Sequence, residues 1–238
     1  MKTPENAKDI RIKNIGEHDG LSVWLVDGER VRKDIDENFV QYDYHARFRF
    51  IPAGEVWIDQ ETNEDERKYF LENISRERRF MSEGMTLEEA VEKADALEKR
   101  ERREDPRVKN ILHAHHARKL ALEKIRKEKL DEYSSDTIRV YLVYGEFVRD
   151  IYLVEYAEGG HDLVYSFIPK GEVWIEEVLH PSERKFIVLH ELHERFLMSQ
   201  GKDYPHAHKG ATIIEDHFRE NPEGLAARIQ EELLKNNS

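Results

Sequence analysis

His190, Glu191, His193 and Glu194 stand within five consecutive positions, in the run Phe186-Ile-Val-Leu-His-Glu-Leu-His-Glu-Arg-Phe-Leu-Met198. On a helix turning 100° per residue, His190 and Glu194 lie one turn apart, about 40° from each other around the axis. Phe186, Ile187, Leu197 and Met198 share that face. Ionisable groups on an apolar face are costly unless they are paired or bind a cation. An imidazole and a carboxylate one turn apart can reach a single metal ion. Glu191, at about 100° on the flank of the face, is placed to take a proton from a water polarised by that ion. The pattern His-Glu-x-x-Glu is a variant of the His-Glu-x-x-His signature. A catalytic zinc takes three protein ligands and keeps one position open. The third is sought in the next helix, where His206 and His208 follow Tyr204-Pro205. These two lie on opposite flanks of the stripe set by Ala207 and Ala211, so only one of them belongs to the set; His208 is favoured. The expected ligands are therefore His190, Glu194 and His208, with Glu191 as the catalytic base. Zinc is the expected ion, with manganese or iron as alternatives.

The elements that position these residues occur twice. Shifted by 117 positions, the chain matches itself without a gap: Phe50-Ile-Pro52 meets Phe167-Ile-Pro169, Gly54-Glu-Val-Trp-Ile58 meets Gly171-Glu-Val-Trp-Ile175, and Glu66-Arg-Lys68 meets Glu183-Arg-Lys185. A period this long points to two duplicated small domains rather than a solenoid. Each copy reads as about four antiparallel strands followed by two helices, an α+β unit. Asp27-Gly28 between Val23–Val26 and Glu29–Arg32 is a two-residue hairpin signal. Ile51-Pro-Ala-Gly54 is a second turn, between Phe48/Phe50 and Val56/Ile58. Asn63 with Glu66, and Thr86 with Glu89, read as capping boxes. Pro181 sits at a helix start, Gly84 and Gly201 mark helix ends, and a further helix begins at Asp203. The expected organisation is a first repeat at 21–104, a charged helical connector at 105–133 with a start signal at Asp105-Pro106, and a second repeat at 134–228. Residues 1–20 and 229–238 read as loose ends.

The first repeat is an internal control. His190, His193, His206 and His208 meet Asn73, Arg76, Glu89 and Val91, and Glu191 meets Ile74. Joint loss is what a dismantled site shows. Glu194 and Glu215 persist as Glu77 and Glu98. Buried carboxylates that persist without the histidines call for structural partners, sought among Arg32/Arg149 or Arg67/Arg184. His193 reads as a core-edge residue, His161 as a turn residue bordering the site, and His113, His115 and His116 as solvated. Trp57 and Trp174 read as core, and the Lys/Arg runs at 99–103 and 119–129 as solvated helix faces.

Composition narrows the classes. The chain has 238 residues, a net charge of −12 and no cysteine. Disulfides, thiolate metal sites and cysteine nucleophiles are excluded. The acidic balance argues against a nucleic-acid partner, since phosphate binding calls for excess Lys and Arg. No run approaches the ~20 apolar residues of a membrane helix, and the start carries no secretory pattern. The expectation is a cytoplasmic chain with no membrane partner.

The order Gly171-Glu-Val-Trp-Ile175, Pro181-Ser-Glu-Arg-Lys-Phe186, Leu189-His-Glu-Leu-His-Glu194 resembles the strand, turn and active helix of small zincin metallopeptidases of the ImmA/IrrE type. The resemblance covers about 30 residues and departs at the fifth position of the motif, where Glu194 replaces His. It implies His190 as a ligand and Glu191 as general base. The pattern Phe-Ile-Pro-x-Gly-Glu-Val-Trp-Ile is also similar to small bacterial and phage proteins built on one such unit, a similarity that names no activity. The expected function is a metal-dependent, peptidase-like hydrolase acting on a protein or peptide. The alternative is a non-catalytic protein-interaction module with a structural histidine cluster.

Overall fold

The computed structural model describes residues 10–36 and 38–237. Residues 1–9 of the segment expected to be loose lie outside the described residues. The chain divides into two compact units, Met1–Asn110 with Arg149–Glu155, and Ile111–Val148 with Tyr156–Ser238. The architecture is a duplicated α+β unit, each copy a four-stranded sheet followed by helices.

The first unit runs β1 (Arg11–His18), β2 (Leu21–Val26), α1 (Gly28–Asp34), β3 (Tyr42–Tyr44), β4 (Glu55–Asp59), α2 (Arg67–Ser82), α3 (Leu87–Glu104) and α4 (Pro106–Leu112). The second series runs α5 (Ala117–Ile125), β5 (Arg126–Lys129), β6 (Arg139–Val143), α6 (Gly145–Ile151), β7 (Gly159–His161), β8 (Glu172–Glu176), α7 (Pro181–Ser199), α8 (Tyr204–Glu220) and α9 (Leu225–Lys235).

The sheets are mixed, not antiparallel throughout. Their orders are β1-β2-β4-β3 and β5-β6-β8-β7. The central pairs β2·β4 and β6·β8 are parallel, and the flanking pairs are antiparallel. A parallel neighbour requires a crossover, so the expected hairpin at Asp27-Gly28 is absent. Asp27 instead caps α1, its side chain accepting from the Arg30 N–H at 3.1 Å. Gly28 lets the Asp59 carboxylate pack on the backbone: a Cβ there would stand 1.7 Å from Asp59 Oδ2. Gly145 repeats this against Glu176, at 1.9 Å. The segment Glu29–Arg32, expected as a strand, is helical for this reason. Phe48 and Phe50 lie in the turn region that follows β3, not on a strand.

Alternation along β4 divides its side chains between two faces. Val56 and Ile58 pack with Phe70 and Ile74 of α2, while Trp57 packs with Val31, Phe39 and Ile51. In the second unit β6 and β8 share a core with Phe186, Val188, Leu189 and Leu192 of α7 and with Leu225, Ile229 and Leu233 of α9. Trp57 and Trp174 are fully buried, and their indole N–H groups donate to Glu55 (2.8 Å) and Glu172 (3.0 Å) on their own strands.

The helix signals are realised at most ends. Thr86 and Glu89 form a complete capping box, Pro181 opens α7, and Asp203 caps α8 by accepting from the His206 N–H. Gly84 and Gly201 take φ of 100° and 90°, the left-handed conformation that glycine adopts freely at a helix end. Asn63 caps a short 3-10 turn ahead of α2 instead of forming a box with Glu66. Three segments differ from expectation. β1 occupies most of the described part of the N-terminal stretch, β5 is a strand inside the expected connector, and α9 occupies most of the expected C-terminal tail. The 99–103 run is not wholly solvated either, because Arg102 is fully buried.

Candidate metal centre

α7 carries His190, Glu191 and Glu194 on its buried side. α8 brings His208 and Glu215 against it, and the end of β7 brings His161. The structure gathers His190, Glu194 and His208 into one group, as expected. The facing atoms form a triangle: His190 Nε2 to His208 Nδ1 is 3.1 Å, His208 Nδ1 to Glu194 Oε2 is 2.8 Å, and His190 Nε2 to Glu194 Oε2 is 3.7 Å. Tetrahedral zinc with bonds of about 2.0–2.1 Å has ligand–ligand edges of about 3.3 Å, which these three distances bracket. The residues present therefore fit a divalent ion, and they can hold one.

The same three atoms can be joined by a shared proton or by a cation. His190 Nδ1 lies 2.7 Å from Glu215 Oε2, so it donates there, and the ring in its neutral form presents the Nε2 lone pair to the triangle. His208 Nδ1 is within hydrogen-bond distance of both His190 Nε2 and Glu194 Oε2. With both neighbours acting as acceptors, a proton on His208 Nδ1 is shared between them. A metal ion in place of that proton takes all three atoms as electron donors. The His190–Glu215 contact is the carboxylate support that a ligating histidine commonly has on its far nitrogen. Glu215 is held in turn by Arg219 (2.8 Å), which also binds Glu183 (2.6 Å).

A second group, His161, Glu191 and Glu194, adjoins the first through the Glu194 carboxylate. His161 Nε2 stands 3.0 Å from Glu194 Oε1. His161 is fully buried, so the turn reading of this residue is replaced by a buried polar contact. Glu191 is buried next to Gly159, where a Cβ would come within 3.0 Å of Glu191 Oε1. Glycine at that point of β7 makes room for the acid.

Burial opposes the charged form of each of these groups, and their neighbours decide the outcome. Burial pushes Glu191 up to about 8, and the adjacent Glu194 charge adds to the rise. Glu194 moves well below the usual carboxylate range despite burial, through hydrogen bonds with His161, His190 and His208. His190 is raised to about 10, against its own burial, by Glu194 and Glu215. Two carboxylates side by side thus divide the roles: Glu194 is fixed as the ion, and Glu191 is the weaker acid, which gains and loses its proton at about pH 8.

The other histidines lie elsewhere. His206 pairs with Asp203 at the exposed start of α8, which leaves His208 as the contributor from that helix. His193 meets Glu232 of α9 at 3.1 Å. His113, His115 and His116 are exposed. The persistent carboxylates do not use the arginines expected for them. Glu77 is bound by Arg47, and Glu98 by Arg102 (2.7 Å). Arg32 binds Asp59, Arg149 binds Glu66, and Arg184 donates to the carbonyls of Glu177 and Leu179. Sequence spacing alone does not single out His161 or Arg219. The retained Arg102/Arg219 pair, four residues after Glu98/Glu215, was the available signal for the latter. No helix among the described residues is long and apolar enough to cross a membrane. No family model, curated protein or solved structure matches this chain.

Proposed function

We propose that the second unit is a metal-dependent hydrolase centre, with His190, Glu194 and His208 holding zinc or a similar divalent ion. The observation that carries this reading is the convergence of His190 Nε2, His208 Nδ1 and Glu194 Oε2, 2.8–3.7 Å from one another, which is the spacing of ligands around one divalent ion. A bound ion supplies Lewis-acid polarisation and a water that ionises near neutral pH. The chain supplies the rest. Glu215 fixes the His190 ring, Arg219 fixes Glu215, and Glu191 takes the proton of the attacking water from its buried place beside Glu194. The His208 side chain is 46% exposed, which gives a substrate a way in from solvent. A peptide or protein substrate follows from the zincin-like order of strand, turn and helix.

Elemental analysis of purified protein beside His190→Ala tests the site. One equivalent of metal in the wild type, lost in the variant, is expected. Peptide hydrolysis that disappears in Glu191→Gln while the metal is retained completes the assignment. A wild type that takes up no metal ends this reading. The second reading, a non-catalytic interaction module, has its own support: the Glu183–Arg219–Glu215 network has a counterpart in Glu66–Arg102–Glu98, in the unit that lacks the histidines. Metal binding without any hydrolysis favours that second reading.

A further inference from the structure

We infer that His161 is a positioning residue for Glu194, an N–H donor that aims one carboxylate oxygen at the metal and is not itself a ligand. The inference rests on the metal-centre reading above. The backbone decides the state of the ring. The Leu163 N–H donates to His161 Nδ1 at 3.2 Å, so Nδ1 carries a lone pair and the ring proton sits on Nε2. That Nε2–H points at Glu194 Oε1, 3.0 Å away, and the other oxygen, Oε2, is left for the side where His190 and His208 converge.

The same fact separates the two candidate groups on α7. A ligating histidine has its remote nitrogen protonated and donating, which is the arrangement of His190 toward Glu215. His161 has the reverse arrangement, with its remote nitrogen accepting. The group His161, Glu191 and Glu194 therefore lacks the lone pair that a second ion would need, although its atoms lie close together.

The first unit shows what the position does when no histidine is present. Tyr44, at the equivalent place on β3, donates its hydroxyl to Met81 Sδ at 3.7 Å, and the equivalent carboxylate, Glu77, is held by Arg47. The hydrogen bond from the edge strand onto the buried glutamate thus belongs to the second unit, where His161 makes it. It has a consequence there, because the glutamate's other oxygen faces two imidazoles. The terminal torsion of a glutamate is broad, so an untethered Glu194 would spend part of the time with neither oxygen aimed at the ion.

The test is zinc affinity, by competition with a chromophoric chelator, for wild type, His161→Phe and His161→Gln, with stoichiometry and circular dichroism on the same samples. Phe keeps a ring without the N–H, and Gln restores an N–H near the place of Nε2. We expect one equivalent of zinc in all three, an affinity about 10–100-fold weaker in His161→Phe, and recovery of most of the loss in His161→Gln. If His161→Phe does not fold, His161→Asn, whose amide is too short to reach Glu194, takes its place. Equal affinity in all three proteins overturns the inference and leaves His161 a structural residue. Two equivalents in the wild type and one in both variants also overturns it, and makes His161 a ligand. A wild type that binds no zinc overturns the metal reading, and this inference with it.

Discussion

Glu77 and Glu194 occupy the same place on the first long helix of their units, and both are buried, yet they are neutralised in different ways. Glu77 is bound by the guanidinium of Arg47, a cation tied to the chain. The position equivalent to Arg47 is Val164, and Glu194 turns instead to His161 and His208. A second carboxylate behaves in parallel. Glu98 accepts from Arg102 and from the Asn73 amide at 2.7 Å, and Glu215 pairs with Arg219 and with His190 Nδ1 at the same 2.7 Å. Asn73 thus reproduces the hydrogen bond of His190 but offers no second nitrogen for an ion. The units share a scaffold of buried carboxylates; in the first the compensating cation is covalent, and in the second, on the reading proposed above, it is exchangeable. Two further differences complete the contrast: Ile74 for Glu191 and Val91 for His208.

The largest effect should come from giving the second unit the first unit's cation. Val164→Arg is expected to place a guanidinium against Glu194 and to abolish metal uptake with the fold intact, as read by elemental analysis and circular dichroism. Retention of a full equivalent of metal would break the comparison, since Glu194 would then be dispensable to the site. Next in size is the converse loss. Arg47→Ala strips Glu77, whose side chain is fully buried, of its counter-charge. Removing one partner of such a pair costs about 3 kcal/mol, within the range for an uncompensated buried charge. Denaturant unfolding should show that loss, and the metal content of the second unit should stay unchanged.

Part of this contrast is readable in the sequence. The offset of 117 exposes the paired positions, and helical periodicity places His190 and Glu194 on one buried face. The small-residue stripe of α8 limits the third ligand to one of His206 and His208, and only their contacts in the structure select His208. What escapes is set by tertiary contact. Asp-Gly serves equally as a hairpin turn and as a helix start, and only the carboxylate packed against Gly28 distinguishes them. β5 reads Arg-Lys-Glu-Lys, with no apolar alternation, because it is an edge strand held by backbone pairing. Its register also departs from the repeat. Arg11 faces Val26 and Arg126 faces Val143, an offset of two residues from the 117 spacing that relates the two valines. His161 follows two glycines and looks like a turn residue, since its burial depends on α7 packing over β7. Arg47 escapes because its partner lies thirty residues away on another element.

The smallest effects concern the scaffold and test whether it is truly shared. α3 and α8 occupy equivalent places, and each begins at a side-chain cap, Thr86 in one and Asp203 in the other. Thr86→Ala removes an oxygen that accepts from the Glu89 N–H at 3.3 Å, and should cost about 1 kcal/mol, localised in the first turn of α3. Asp203→Asn keeps an equally good capping group and should be nearly neutral at pH 7. The two differ in acid. Hydrogen bonds from the His206 ring and from its backbone N–H hold the Asp203 carboxyl below its ordinary value. A carboxyl depressed in the folded state contributes stability that is present above its unfolded pKa and is lost as the pH falls through the folded one. The wild type should therefore lose protection in the first turn of α8 as the pH drops below about 4, and Asp203→Asn should not show that loss. Amide hydrogen exchange across α3 and α8 reads both helices in one sample. If Asp203→Asn frays α8 at neutral pH, the cap there depends on charge, and the two helical hairpins are not interchangeable supports for their different sites.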